Sequence, residues 1–210
     1  MIKSFIFNEF QENTHLLISP TSHAIIIDPG CFYLEERRIL ENFIDTHFLT
    51  PIHLLLTHAH LDHVLGNAWV FRKWGLRPQL HPMDLHDLER LEQTSAIFNL
   101  KAEPSPKPER FLDSSDKITW SGPEIQIFEA PGHSAGSLCF YIPDWKSLIC
   151  GDVIFRGSIG RTDLPGGNLN TLMKSIRNLF AKLPEDTILI PGHGPTSTIA
   201  EELGSNPFLR

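Results

Sequence analysis

Thr57-His58-Ala59-His60-Leu61-Asp62-His63 puts three imidazoles and one carboxylate within six positions. Such groups are costly to strip of water and add little to an apolar core. They make sense around a cation, because neutral imidazole and carboxylate are N and O donors that suit zinc, iron or manganese. The spacing argues against a helix, on which His58 and Asp62 would share a face while His60 pointed elsewhere. The segment reads as a loop at a strand end, where backbone turns aim all four side chains inward. The bland alternative is a solvated polar loop, and the rest of the chain weighs against it.

Working outward, Ile52 to Leu56 is apolar except for His53, as expected of a strand covered on both faces. Upstream, residues 2–7 and 14–18 read as two antiparallel strands, Ala24 to Ile27 as a third, and residues 34–48 as a helix. Downstream, helices are expected over 64–74 and 83–97, with a short strand at 78–81. Pro104, Pro106 and Pro108 exclude helix and central strand from 101–110, which reads as a long loop between two halves of one domain. The second half predicts strands near 117–120, 124–129, 137–142, 147–151 and 187–190, a helix near 169–182, and a last helix from about 197. Thr198 and Glu201 have the spacing of a capping box at that last start. Two sheets packed face to face, with helices outside, would accommodate this order in a single domain spanning 1–210.

Three later sites repeat one design. Pro131-Gly132-His133, Gly151-Asp152 and Pro191-Gly192-His193-Gly194 each follow an apolar run. Each is a strand, a glycine turn and one metal-competent side chain. Glycine permits the close backbone approach that a converging ligand set requires. Donors at the ends of several strands are what a preorganised site needs. Any one of these could be an ordinary turn with an incidental polar residue; together with His58, His60, Asp62 and His63 they form a seven-donor set.

Composition narrows the function classes. With 41% hydrophobic and 20% charged residues the chain is an ordinary globular protein, and its net charge is −7 with scattered Lys and Arg. No basic patch offers a nucleic-acid surface. Cys31, Cys139 and Cys150 lack Cys-x-x-Cys spacing and lie in or beside apolar runs, so buried thiols in a reducing, cytoplasmic setting are expected. The amino-terminal stretch is too short and polar for a signal-peptide core, and nothing later is long enough to span a membrane.

Across essentially its whole length the chain resembles the metallo-β-lactamase-fold hydrolases, and among them the glyoxalase II-like group. The residues that carry the resemblance begin with Gln11 to Leu17 and Ile27-Asp28-Pro29-Gly30, and continue through Thr57 to His63, Ala130-Pro131-Gly132-His133-Ser134 and Gly151-Asp152. They close with Gly160-Arg161-Thr162-Asp163, Pro191-Gly192-His193-Gly194 and Asn206-Pro207-Phe208. The resemblance implies an α/β fold, a four-layer αββα sandwich with a dinuclear site at one edge. His58, His60 and His133 would hold one divalent ion, and Asp62, His63 and His193 the other. Asp152 would bridge them, and Asp28 would orient a ligand from behind. The ions would be zinc first, with iron or manganese compatible with the same donors.

The activity so implied is hydrolysis of an acyl thioester such as S-lactoylglutathione, a small-molecule substrate, by a metal-bridging water held at Asp62 and Asp152. A metal lowers the pKa of bound water from about 15.7 to about 7, so no separate base is required. Ser134 adjoins His133 too closely to form a nucleophile–base pair and is assigned a structural role. Longer glyoxalase II enzymes add a C-terminal helical domain with basic glutathione-binding residues, whereas this sequence ends at Arg210. Arg161 is the candidate to pair with a substrate carboxylate, an internal pair with Asp163 being the alternative. The main rival function is a persulfide dioxygenase with one iron on residues matching His58, His133 and Asp152. Another hydrolase of the same fold with a different substrate is the further alternative. A β-lactamase, a nuclease and a non-catalytic metal protein fit less well, the last because a structural zinc needs only four ligands.

Overall fold

The apolar run before the histidine motif forms the central strand of the first sheet. A computed structural model describes all 210 residues, and contacts divide them into two units. The first comprises Met1–Leu112 with Thr119–Gly122; the second comprises Asp113–Ile118 with Pro123–Arg210.

In the first unit, strands β1 (Ile2–Phe7), β2 (Glu12–Ile18), β3 (His23–Ile27), β4 (Thr50–Leu55), β5 (Pro78–Leu80) and β6 (Arg110–Phe111) line up in sequence order as one sheet. Pairing is antiparallel from β1 to β3 and parallel from β3 to β6. Parallel strands are covered on both faces, and Ile25, Ile26, Ile27, Leu54, Leu55 and Leu56 are fully buried accordingly. Helix α1 (Leu34–Thr46) crosses over between β3 and β4 and buries Leu40 and Ile44, one turn apart on one face. It ends two residues earlier than the periodicity predicts.

Three expected elements differ here. The motif is not loop throughout: His58 to His60 are extended or bent, but Leu61–Val64 forms the short helix α2 and carries Asp62 and His63. Its turn is driven by Leu61 and Val64, which are three apart and both buried in the core. The helix expected from 64 begins only at Asn67, as α3 (Asn67–Trp74), closed by Gly75 in the left-handed region. The helix expected over 83–97 splits into a 3₁₀ turn at Pro82–Asp84, α4 (Leu85–Glu89) and α5 (Leu91–Ile97). At the break, the Arg90 N–H is shared between the carbonyls of His86 and Asp87, the tightening typical of a terminating turn.

In the second unit, β7 (Gln126–Glu129), β8 (Leu138–Ile142), β9 (Ser147–Gly151), β12 (Ile188–Pro191) and β13 (Ser197–Thr198) form a sheet ordered β13-β12-β9-β8-β7. A separate hairpin joins β10 (Ile154–Phe155) to β11 (Ser158–Ile159). Helix α6 (Leu169–Lys182) buries Leu172, Ile176 and Leu179, and α7 (Ile199–Ser205) starts at the expected capping box of Thr198 and Glu201. The core joins Cys139, Cys150, Leu148, Leu189 and Ile199 to those helix faces. No strand forms over 117–120, and the next begins at 126 rather than 124. All three cysteines are buried, unbridged thiols, as expected. No helix is long and apolar enough to cross a membrane.

Candidate metal centre

In the first unit the motif leaves the end of β4 and is held from behind by Asp28, which directly follows β3. Asp28 Oδ1 accepts the Thr57 backbone N–H at 2.7 Å, and Oδ2 accepts the Thr57 hydroxyl at 2.5 Å. The His63 Nδ1–H reaches the same Oδ2 at 3.1 Å. With its proton given to Asp28, the Thr57 oxygen accepts from His58 Nδ1 at 3.0 Å. One buried carboxylate thereby fixes both imidazoles in the tautomer that turns Nε2 outward as a donor. Donor atoms of Asp28, His58 and His63 all lie within 4.8 Å of one another. The His58 ring centroid is 4.7 Å from that of His60 and 4.1 Å from that of His63. The loop backbone is fixed as well: Asn8 Nδ2 donates to the carbonyls of Gly30 and Asp62 at 3.0 Å each, and buried Asp84 accepts the Ala59 N–H at 3.2 Å.

Glu12 closes the back of this half. It is fully buried, its Oε2 accepts from Thr14 at 2.9 Å, and its Oε1 lies 3.9 Å from His63 Nδ1. Burial pushes its carboxyl well above the usual range, with His63 pulling the other way. A side chain at Gly30 would sit 2.1 Å from Glu12 Oε2, so only glycine lets the chain pass here.

In the second unit His133, Asp152 and His193 follow β7, β9 and β12 by one to four residues. Asp152 Oδ2 lies 3.6 Å from both His133 Nε2 and His193 Nε2. The His133 Nδ1–H donates to the Arg161 carbonyl at 2.8 Å, which again presents Nε2 as the donor. Gly160 makes that contact possible: a Cβ there would fall 1.8 Å from the Asp152 carbonyl oxygen. The Arg161 guanidinium takes the second of its two expected roles, donating from Nε and Nη2 to both oxygens of Asp163 at 2.8 Å. That bridge is exposed, and it holds the Asp163 carboxyl down at about 2. Ser134 is buried beside Ser137, its hydroxyl 2.7 Å away, in agreement with a structural role.

These donors fit a divalent ion. Two ligands about 2.1 Å from a tetrahedral ion lie about 3.4 Å apart. The 3.6 Å separations at Asp152, and the same distance between His63 Nε2 and Asp62 Oδ2, are too long for hydrogen bonds and close to that edge length. The groups acting on Glu12 are His63, Asp28, Thr14 and Asp62, with no lysine or arginine among them, so no permanent cation offsets the burial of this carboxyl.

A family model described as the metallo-beta-lactamase superfamily matches residues 8–193. The chain belongs to the metallo-β-lactamase superfamily. Among its relatives is the "Probable metallo-hydrolase YqgX" of Bacillus subtilis, 38% identical over 95% of this chain and 92% of that protein. The "Hydroxyacylglutathione hydrolase GloC" of Haemophilus influenzae is 36% identical over 95% and 93%. The solved B3 metallo-β-lactamase BLEG-1 is 34% identical, covers 100% and 99% of the two chains, and superposes with a TM-score of 0.90. TTHA1623, solved in a di-iron-bound form, is 36% identical over 99% and 100%, with a TM-score of 0.89. The mixed α/β fold expected from the motifs is thus the one observed, and this metallo-β-lactamase-superfamily member is a metal-dependent hydrolase.

Several of the residues that position this superfamily site escaped the sequence reading. Asn8 and Asp84 lie far from the motif in sequence and give no local signal. Glu12 had one, a charged side chain in a strand whose seven residues are all buried. The Arg161 carbonyl is invisible to any reading of side chains.

Proposed function

We propose that the protein is a dinuclear metallo-hydrolase that cleaves an acyl thioester, with S-lactoylglutathione or a close analogue as substrate. The observation that carries the reading is Asp152 Oδ2, equidistant at 3.6 Å from the donor nitrogens of His133 and His193. A carboxylate oxygen shared in this way suits a bridge between two ions. A centre with one iron on His58, His133 and Asp152 would leave His193, Asp62 and His63 without a task. The ligand sets we assign are His58, His60 and His133 for one ion, Asp62, His63 and His193 for the other, and Asp152 for both. Zinc suits them, and the di-iron form of the related TTHA1623 supports iron as a second candidate.

When bound, the ions supply Lewis acidity and bring the pKa of a bound water from about 15.7 to about 7. The chain's own groups prepare that chemistry. Asp28 and the Arg161 carbonyl fix the imidazole tautomers, so the donor nitrogens need no reorganisation. Asp62 and Asp152 accept hydrogen bonds from the attacking water and orient it toward the carbonyl carbon. The substrate C–S bond breaks, water supplies the new C–O bond, and the products are a carboxylic acid and a thiol. Arg161 is the group we assign to a substrate carboxylate, which would have to displace Asp163 from the guanidinium.

The relationship to GloC supports the glutathione thioester over other acyl donors. The test is metal analysis of the purified protein followed by S-lactoylglutathione hydrolysis with thiol detection. Two ions per chain and thiol release abolished by Asp152→Ala are expected. Oxygen uptake on glutathione persulfide with one iron per chain and no thiol release would reassign the protein as a dioxygenase. Cleavage of a chromogenic cephalosporin in place of the thioester would make it a β-lactamase.

A further inference from the structure

The carboxyl-terminal residues Glu202 and Asn206 are both fully buried, yet neither contributes to the apolar core of the second unit. Glu202 Oε2 accepts the Gly157 N–H at 2.9 Å and Asn206 Nδ2 at 2.7 Å. Asn206 Nδ2 also donates to the Ser158 carbonyl at 3.0 Å, and Asn206 Oδ1 accepts the Phe208 N–H at 3.0 Å. Glu202 Oε1 is buried without a hydrogen-bond partner from the protein. An apolar side chain would fill this space at lower cost, because a buried carboxylate with one oxygen unmade is penalised. Stability alone therefore does not account for the pair.

Both residues grip the turn of the β10–β11 hairpin, and that hairpin leads directly to two ligands. Its last residue, Ile159, precedes Gly160, whose N–H bonds the Val153 carbonyl at 3.4 Å and where a Cβ would collide with the Asp152 carbonyl oxygen. The next carbonyl, that of Arg161, is the one that accepts from His133 Nδ1 at 2.8 Å. On the other strand, the Phe155 ring meets His193 edge to face, with centroids 6.1 Å apart. The only groups that hold the far end of this two-stranded ribbon by side-chain hydrogen bonds are Glu202 and Asn206. A hairpin of two residues per strand has little stability of its own.

We infer that Glu202 and Asn206 are positioning residues for the metal centre, acting through the β10–β11 hairpin on His133 and His193. The inference rests on the metal-binding reading of those histidines and not on the choice of thioester. Removing the clamp loosens the turn of the hairpin, whose Ile154 and Ile159 stay packed in the core, so the Arg161 carbonyl shifts and the His133 ring loses the partner that orients Nε2.

The experiment is zinc affinity of the full-length apoprotein, measured by competition with a chromophoric chelator, together with the visible absorption bands of the cobalt-substituted protein. Asn206→Ala and Glu202→Ala are expected to weaken zinc binding about tenfold, as loss of an outer partner does, and to shift the cobalt bands. Glu202→Gln keeps an acceptor for Gly157 and Asn206 and is expected to bind close to the parent. Ile199→Ala, which removes buried core from α7 but takes no hydrogen bond from the hairpin, is expected to lower the melting temperature and leave zinc affinity intact. Asn206→Ser serves the same test if Asn206→Ala does not fold. Unchanged affinity in the clamp variants would overturn the inference, as would an equal loss in Ile199→Ala. A parent protein that binds no zinc, iron or manganese would instead overturn the metal reading itself.

Discussion

Asp28 occupies a backbone conformation that few residues accept, with φ at +50°, and from it reaches Thr57 and His63 at once. Aspartate tolerates this region better than most side chains, and such strain collects where a fixed geometry is used. Asp28→Asn replaces one acceptor oxygen with a donor, so Thr57 and His63 can no longer both be served. Zinc affinity in Asp28→Asn is expected to fall about 10- to 100-fold; chelator competition that finds no loss would show that the contact does not tune the site. The candidate donors stood out in the sequence because clustered imidazoles have few other uses. Asp28 was legible only through its place in a recognised motif, since a lone Asp-Pro-Gly also ends many ordinary strands. The Arg161 carbonyl acts through a tertiary neighbour that no local pattern encodes, and Glu12 shows only as a charge in a buried strand.

Among the elements, the ones read well have complete local signals. Helix α7 starts where Thr198 accepts the Glu201 N–H at 3.2 Å and Glu201 returns the bond at 3.0 Å. Thr198→Ala is expected to cost about 1 kcal/mol, read as a lower midpoint in urea unfolding with zinc affinity unchanged. A midpoint equal to the parent's would mean that tertiary packing alone sets this helix start. The elements read poorly lack such signals. Helix α2 has four residues, too few for periodicity to register, although the paired Leu61 and Val64 hinted at it. The apolar spacing of Leu85, Leu88 and Leu91 runs through the break at Arg90 and conceals it. The residues expected as strand 117–120 form no ladder, and Thr119 instead accepts from His53 Nε2 through its carbonyl.

For the molecule as a whole, buried carboxylates at Glu12 and Asp28 and partly buried ones at Asp62 and Asp152 make a bound cation a stabilising ligand. Anything that binds only the folded state adds RT ln(1 + [L]/Kd), about 4 kcal/mol when the free ion is at about 1,000 times Kd. Stripping metal with a chelator is therefore expected to lower the melting temperature, and adding zinc back to restore it; a melting curve indifferent to both would argue against ligation by these residues. The class of fold was legible across nearly the full length because strand, glycine turn and donor recur three times after the histidine motif. The placement of donors just past the carboxyl ends of β4, β7, β9 and β12 has a separate consequence for how such a chain can diversify. Turns at the opposite strand ends, such as Pro143 to Lys146 between β8 and β9, carry none of the donors. They are free to lengthen, shorten or acquire new surface chemistry over generations while the inherited reaction machinery stays intact.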